Sequence, residues 1–367
     1  MRGPKVPEYM HKVAIYVPGK PVEEVERELG VTGIVKLASN ENPLGSSPKA
    51  LAAVEKALPS LNRYPDGGGY VLRRALAGRH GVDLDQVILG NGSVEIIEML
   101  ARAYVEDGDD VVISQQSFVS YEIAARQVNG NAILVPARPD RGHDLKAMAA
   151  AVTERTKLIY VANPSNPTGT YATRQELDEF LATVGDNVLV VLDQAYLEYV
   201  DKPDYPDGLA DLKAGRNVIV LQTFSKIYGL AGLRIGYGLA APEVVADLNR
   251  VRSPFNTSSL GQVAALAALD DSEWATFSRE SNLRELEFVQ AELGRRKVRY
   301  TPSVTNFVLM ELDDDVKRLF VEFQRHGVII RPQGGPGLTN CARVSLGCRE
   351  ENVKFLRVLD QLVVQRA

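Results

Sequence analysis

Between residues 86 and 222 the chain repeats one pattern: a short apolar run, then a longer stretch whose apolar residues recur every three to four positions. The runs cover 86–89, 111–114, 132–135, 158–162, 188–192 and 218–222, and helical periodicity covers 93–104, 120–127 and 174–183. Strands that are apolar on both faces and alternate with amphipathic helices predict a mainly parallel sheet covered on both sides, an α/β fold. Ligands of such sheets lie beyond the carboxyl ends of the strands. Ser93 is the expected cap of the helix over 93–104.

After residue 254 the pattern changes to helices over 260–269, 273–296 and 314–326 and strands over 306–312 and 342–346. A length of 367 residues suits about two domains. The expected division is a large domain over 41–254 and a smaller α+β domain built from 1–40 and 255–367. A net charge of −5 argues against a general nucleic-acid or membrane-surface binder. No apolar run approaches a membrane span, and the first residues lack the apolar core of a secretory leader. Cys341 and Cys348 make neither a disulfide framework nor a metal knuckle, and the four histidines form no pair at ligand spacing, so no metal is expected. A reducing cytoplasm follows by elimination.

Four features sit at predicted strand ends. The run 188–192 leads straight into Asp193, a carboxylate that is either a cap for the next helix or the partner of a buried cation. The run 218–222 leads into Ser225-Lys226, followed by a glycine-punctuated loop to Arg234. A lysine at the mouth of a parallel sheet loses solvation, which lowers its pKa and makes the amine a usable nucleophile; Ser225 and Arg234 offer contacts to a phosphate. Asn163-Pro-Ser-Asn166-Pro-Thr-Gly169 is a tight loop 27 residues before Asp193, counted from Asn166. Gly90-Asn-Gly92-Ser93-Val94 lies at a strand–helix junction, where free amides accommodate an anion. Alone, the two readings of Asp193 are about even, and the other three features are more often a plain turn or a solvated side chain. Together they supply a phosphate cradle, a carboxylate, an amide and a reactive amine, which is the set that pyridoxal 5′-phosphate requires.

The motifs N-P-x-N-P-T-G, D-x-A-Y and S-K-x-x-x-L-A-G-L-R-I-G, in this order and spacing, resemble those of the fold-type-I aminotransferases that use pyridoxal phosphate. Tyr16-x-Pro-Gly-Lys, Lys36-Leu-Ala-Ser-Asn-Glu-Asn-Pro-Leu-Gly45, Asn62-Arg-Tyr64-Pro-Asp-Gly, Arg331 and Arg343 narrow the resemblance to the branch acting on histidinol phosphate. The resemblance implies a mainly parallel seven-stranded sheet in the large domain, a small α+β domain and a homodimer. It also implies transamination between L-histidinol phosphate and 2-oxoglutarate, giving imidazole acetol phosphate and glutamate. Lys226 would carry the cofactor and shuttle the proton, while Asp193 would pair with the ring nitrogen. Asn166 and Tyr196 would bond the ring oxygen, and Phe118 would stack on the ring. Gly92, Ser93, the amide of Val94, Ser225 and Arg234 would hold the phosphate, with Tyr64 reaching in from the neighbouring subunit. Arg343 would grip the anionic end of the substrate, with Arg331 and a partner chain's Tyr16 as further contacts.

Val94, Gln194 and Gln115-Gln116 depart from the family's usual acid, glutamate and proline-containing entry. The rivals are an aromatic amino acid aminotransferase and, further off, a threonine-phosphate decarboxylase. A transcription regulator built on this fold would need a DNA-binding domain ahead of it, and the pattern already begins by Tyr16.

Overall fold

A computed structural model describes residues 3–363. Seven strands form the central sheet in the order Val87–Gly90, Gly236–Leu239, Val218–Thr223, Leu189–Asp193, Thr156–Ala162, Asp110–Ser114 and Asn131–Val135. Gly236–Leu239 runs antiparallel to both neighbours, and every other pairing is parallel. Every residue of Leu189–Asp193 and of Val218–Thr223 is buried. The alternation of side chains divides them between two cores. Val190, Leu192, Val218 and Val220 pack with Leu177 and Phe180 on one face, and Leu189, Val191, Ile219 and Leu221 with Ile97, Leu100 and Ala124 on the other.

The strand missing from the sequence expectation is Gly236–Leu239, whose four residues include two glycines and carry little strand signal. Gly236 is there for close approach: a Cβ on it would lie 2.7 Å from the amide nitrogen of Ser93. The helix Ser93–Tyr104 forms as expected, but Ser93 is not its cap. The cap position belongs to Gly92, at φ +74 and ψ 170, and no side chain closes the first turn. A glycine adopts that backbone without penalty and leaves the amides of the first turn uncovered.

A four-stranded antiparallel sheet, in the order Arg331–Pro332, Cys341–Ser345, Phe307–Glu311 and Arg299–Thr301, anchors a second core. Leu286, Val289 and Leu293 of the helix Ser272–Arg295, Leu319 and Phe323 of Val316–Arg325, and Phe355 and Leu359 of Arg349–Leu362 fill it. The start of the chain is stitched into this body. Val35–Lys36 pairs in parallel with Val328–Ile329, and Leu37 bonds Ile329 at 2.8 Å and Ser345 at 2.9 Å through the backbone. The helix Ser259–Leu269 lies instead against Pro48–Ala57 and Tyr70–His80, with Ala264, Ala265 and Ala268 in the core of the large sheet. Among the described residues no helix is long and apolar enough to cross a membrane.

Candidate active site

A cavity of about 1100 Å³ opens where the carboxyl ends of the central strands face the smaller sheet. Every candidate residue named from the sequence lines it except Tyr64. At one end lie Gly92, the uncapped amides of Ser93 and Val94, Ser225 and Arg234. Arg234 Nη1 donates to the carbonyl of Ala231 at 3.0 Å and lies 3.5 Å from Ser225 Oγ. A Cβ at position 92 would come within 2.6 Å of Arg234 Nη2, so only glycine keeps this cradle open. Unfilled amides at a helix start together with a guanidinium make a site for a dianion.

The centre holds Asp193 and Lys226. Asp193 is buried, its Oδ1 accepting from the amide of Ala195 at 3.1 Å and its Oδ2 from the hydroxyl of Tyr121 at 2.7 Å. Burial raises its pKa, and the Tyr121 bond, the Ala195 amide and the charge of Lys226 pull the other way. A carboxylate so placed gains most from a cation brought to it. Lys226 Nζ donates to the carbonyls of Asn40 at 3.3 Å and Ser39 at 3.4 Å. Burial, then the charge of Arg343, pushes its ammonium down to about 8.

At the other end Arg331 and Arg343 face each other across adjacent antiparallel strands. Arg343 is bonded to Asn166 Oδ1 at 2.5 Å and to the carbonyl of Ala38 at 2.8 Å, and its Nε is buried with no partner. Arg331 donates to the carbonyl of Val17 at 2.7 Å. Neither arginine forms an ion pair with a carboxylate among the described residues. Two neighbouring guanidiniums without counter-ions form a receptor for an anion.

The comparisons agree with this geometry. The profile of the family "Aminotransferase class I and II" matches residues 32–358. This chain is a class I and II aminotransferase. It is 48% identical over 361 residues to the histidinol-phosphate aminotransferase of Moorella thermoacetica, covering 98% of this chain and 93% of the relative. It is likewise 48% identical over 358 residues to histidinol-phosphate aminotransferase 2 of Pseudomonas fluorescens, covering 97% and 96%. Among solved structures it resembles the histidinol-phosphate aminotransferase of Sinorhizobium meliloti in complex with pyridoxal-5′-phosphate. That likeness has a TM-score of 0.90 at 28% identity, over 99% of this chain and 98% of the other.

The other residues singled out in the sequence take particular positions around this cavity. Tyr16 of this chain lines its own cavity, beside the bond from Arg331 to the carbonyl of Val17. Tyr64 is 82% exposed and stacks on Phe255 with ring centroids 4.7 Å apart, outside its own cavity. Gln194 is a structural residue: its amide bonds the hydroxyl of Tyr205 at 3.0 Å, the carbonyl of Pro206 at 2.9 Å and the amide of Gly208 at 3.2 Å. Gln115 and Gln116 do not line the cavity, and Gln116 reaches the carbonyl of Pro336 at 3.4 Å. Phe118 does line it, edge-on to Tyr121 at 5.6 Å.

Sequence reasoning missed two residues. Tyr121 hides on the apolar face of an ordinary amphipathic helix and yet touches Asp193. Asn40 lies inside a quoted motif, but nothing in its spacing announces its bond to Tyr196 at 2.9 Å.

The low Lys226 pKa has a direct test. The neutral amine reacts and the ammonium does not, so reactivity should rise with pH and level off near 8 to 9. A small aldehyde and borohydride applied to cofactor-free enzyme, with the Lys226 peptide followed by mass spectrometry, measures it. A rate still climbing at pH 10 would contradict the burial argument.

Proposed function

We propose that this aminotransferase binds pyridoxal 5′-phosphate at Lys226 and moves an amino group between L-histidinol phosphate and 2-oxoglutarate, yielding imidazole acetol phosphate and glutamate. The residues fit the cofactor: an open glycine cradle beside Arg234, a buried carboxylate lacking a full cation partner, and a desolvated amine between them. When bound, the group supplies a cationic ring that accepts the electron pair left as the substrate carbon loses its proton.

The chain's own residues do the rest. The helix start at Ser93 and Val94, with Ser225 and Arg234, holds the phosphate. Asp193 holds a proton on the ring nitrogen, with Tyr121 fixing the carboxylate. Tyr196 and Asn166 would bond the ring oxygen of the cofactor, and Phe118 would stack on its ring; all three line the cavity. Lys226 would hold the cofactor through its desolvated amine, and that amine, neutral near pH 8, would move the proton at the reacting carbon of the substrate. Arg343, Arg331 and Tyr16 bind the substrate's anionic end. Tyr64 points away from its own cavity, and we assign it to the phosphate site of a second subunit in a homodimer. The small domain, built from both chain ends, closes over the bound substrate. The reading places the enzyme in the cytoplasm, with small-molecule substrates and neither nucleic acid nor membrane as a partner.

The observation that carries the substrate is the pair of facing arginines without counter-ions. A dianionic phosphate offers three oxygens and two charges to the two guanidiniums, where a carboxylate brings a single charge to both. Coupled assays with histidinol phosphate and 2-oxoglutarate, with phenylalanine as competitor, test this reading. Histidinol phosphate should have the larger kcat/KM. Arg331→Leu should raise KM for it by about 10- to 100-fold, the worth of one charge-assisted contact, and change the value for phenylalanine little. Equal losses for both substrates would remove Arg331 from phosphate recognition. A preference for phenylalanine in the unaltered enzyme would make it an aromatic amino acid aminotransferase.

A further inference from the structure

Asn40 is buried and left-handed, with φ +54, a conformation few residues other than glycine adopt. Its hydrogen bonds have a fixed direction. The Asn40 amide N–H donates to Ser345 Oγ at 2.8 Å, so the Ser345 hydroxyl spends its own proton on Asn40 Oδ1 at 3.0 Å. That sets the side-chain amide: oxygen toward Ser345, nitrogen toward Tyr196. Asn40 Nδ2 then donates to Tyr196 Oη at 2.9 Å. An amide nitrogen cannot accept in return, so the phenolic proton is left for a different acceptor. Asn166 follows the same logic. Its Oδ1 accepts from Arg343 at 2.5 Å, which leaves its Nδ2 as a donor. The carbonyl of Asn40 also accepts from Lys226 at 3.3 Å and from Asn306 at 3.0 Å, so one strained residue joins the amine, the phenol and the strand that carries Arg343.

We propose that Asn40 is a positioning residue whose fixed amide aims the Tyr196 proton at the ring oxygen of the cofactor. The proposal rests on the cofactor reading above. A donor held on that oxygen favours its anionic form. The pH at which the resting holoenzyme changes its absorbance is therefore lower than it would be with Tyr196 turned away.

The test is a spectrophotometric pH titration of resting holoenzyme without substrate. Asn40→Asp keeps the shape but substitutes an acceptor that captures the Tyr196 proton, so the midpoint should rise by about one unit or more. The new charge also acts on Lys226 through space. The Asn40→Asp change is therefore repeated in a Tyr196→Phe background, where its added shift should fall below half. Ser345→Ala, which frees the amide to turn, should give a smaller rise of the same sign. An unmoved midpoint in Asn40→Asp, or an equal shift with and without Tyr196, overturns the proposal. Should Asn40→Asp fail to fold, an unmoved midpoint in Ser345→Ala overturns it. If the unaltered protein shows no borohydride-reducible band on Lys226, the cofactor reading itself falls, and this inference with it.

Discussion

Replacing Lys226 with alanine is expected to lower kcat on the order of 10⁴-fold while the protein still retains pyridoxal phosphate by its other contacts. The amine lies at the centre of the cavity, and burial brings its pKa to about 8, suited to moving a proton near neutrality. Neither neighbour can replace it. Tyr196 is a phenol whose pKa burial raises further, and Asp193 is committed to Tyr121 and the amide of Ala195. The proposed phosphate cradle, the uncapped helix start at Gly92 and Ser93 with Ser225 and Arg234, is formed without the lysine. Cofactor retention, measured by equilibrium dialysis, should therefore survive the substitution, and stopped-flow single turnovers should not. Turnover within tenfold of the unaltered enzyme would assign the proton transfer to a different group.

Asp193→Asn should slow the same step on the order of 10³-fold, with smaller changes in KM. The asparagine keeps the volume and can still accept from either Tyr121 or the amide of Ala195, though not from both, so the loop loses one hydrogen bond and the fold survives. The site also loses the charge. A buried carboxylate opposite a ring nitrogen makes protonation of that nitrogen favourable, and only the protonated ring takes up charge from the substrate carbon effectively. The effect should appear as a slowed single turnover with a larger isotope effect on the α-deuterated substrate. A rate within threefold of the original would mean that the carboxylate serves only to shape the loop.

Much of this site was legible because the chemistry lies at strand ends. Continuous apolar runs located six of the seven central strands, and the residues just past Ala162, Leu192 and Thr223 were the ones that met in the cavity. The helix starts were less legible. A serine before an apolar periodicity looks like a cap, but the requirement for open amides placed Gly92 there and moved Ser93 into the first turn. Gly236–Leu239 escaped notice because its glycines serve close approach and not strand propensity. Asn40 and Tyr121 could not be found by spacing at all, since their partners Tyr196 and Asp193 are 156 and 72 residues away. Contacts of that kind depend on how the two bodies meet, and no local pattern records it.

The stitching of residues 35–40 into the sheet that carries Arg343 has a consequence for biogenesis. Ser345, which bonds the amide of Asn40, follows it by 305 residues, and Val328 and Ile329 lie nearly as far along the chain. A nascent chain can build most of the large sheet while Leu37 and Asn40 wait without partners, and such long-range closures are slow. The strand that carries Arg343 can therefore take up residues 35–40 only after residue 345 has been made.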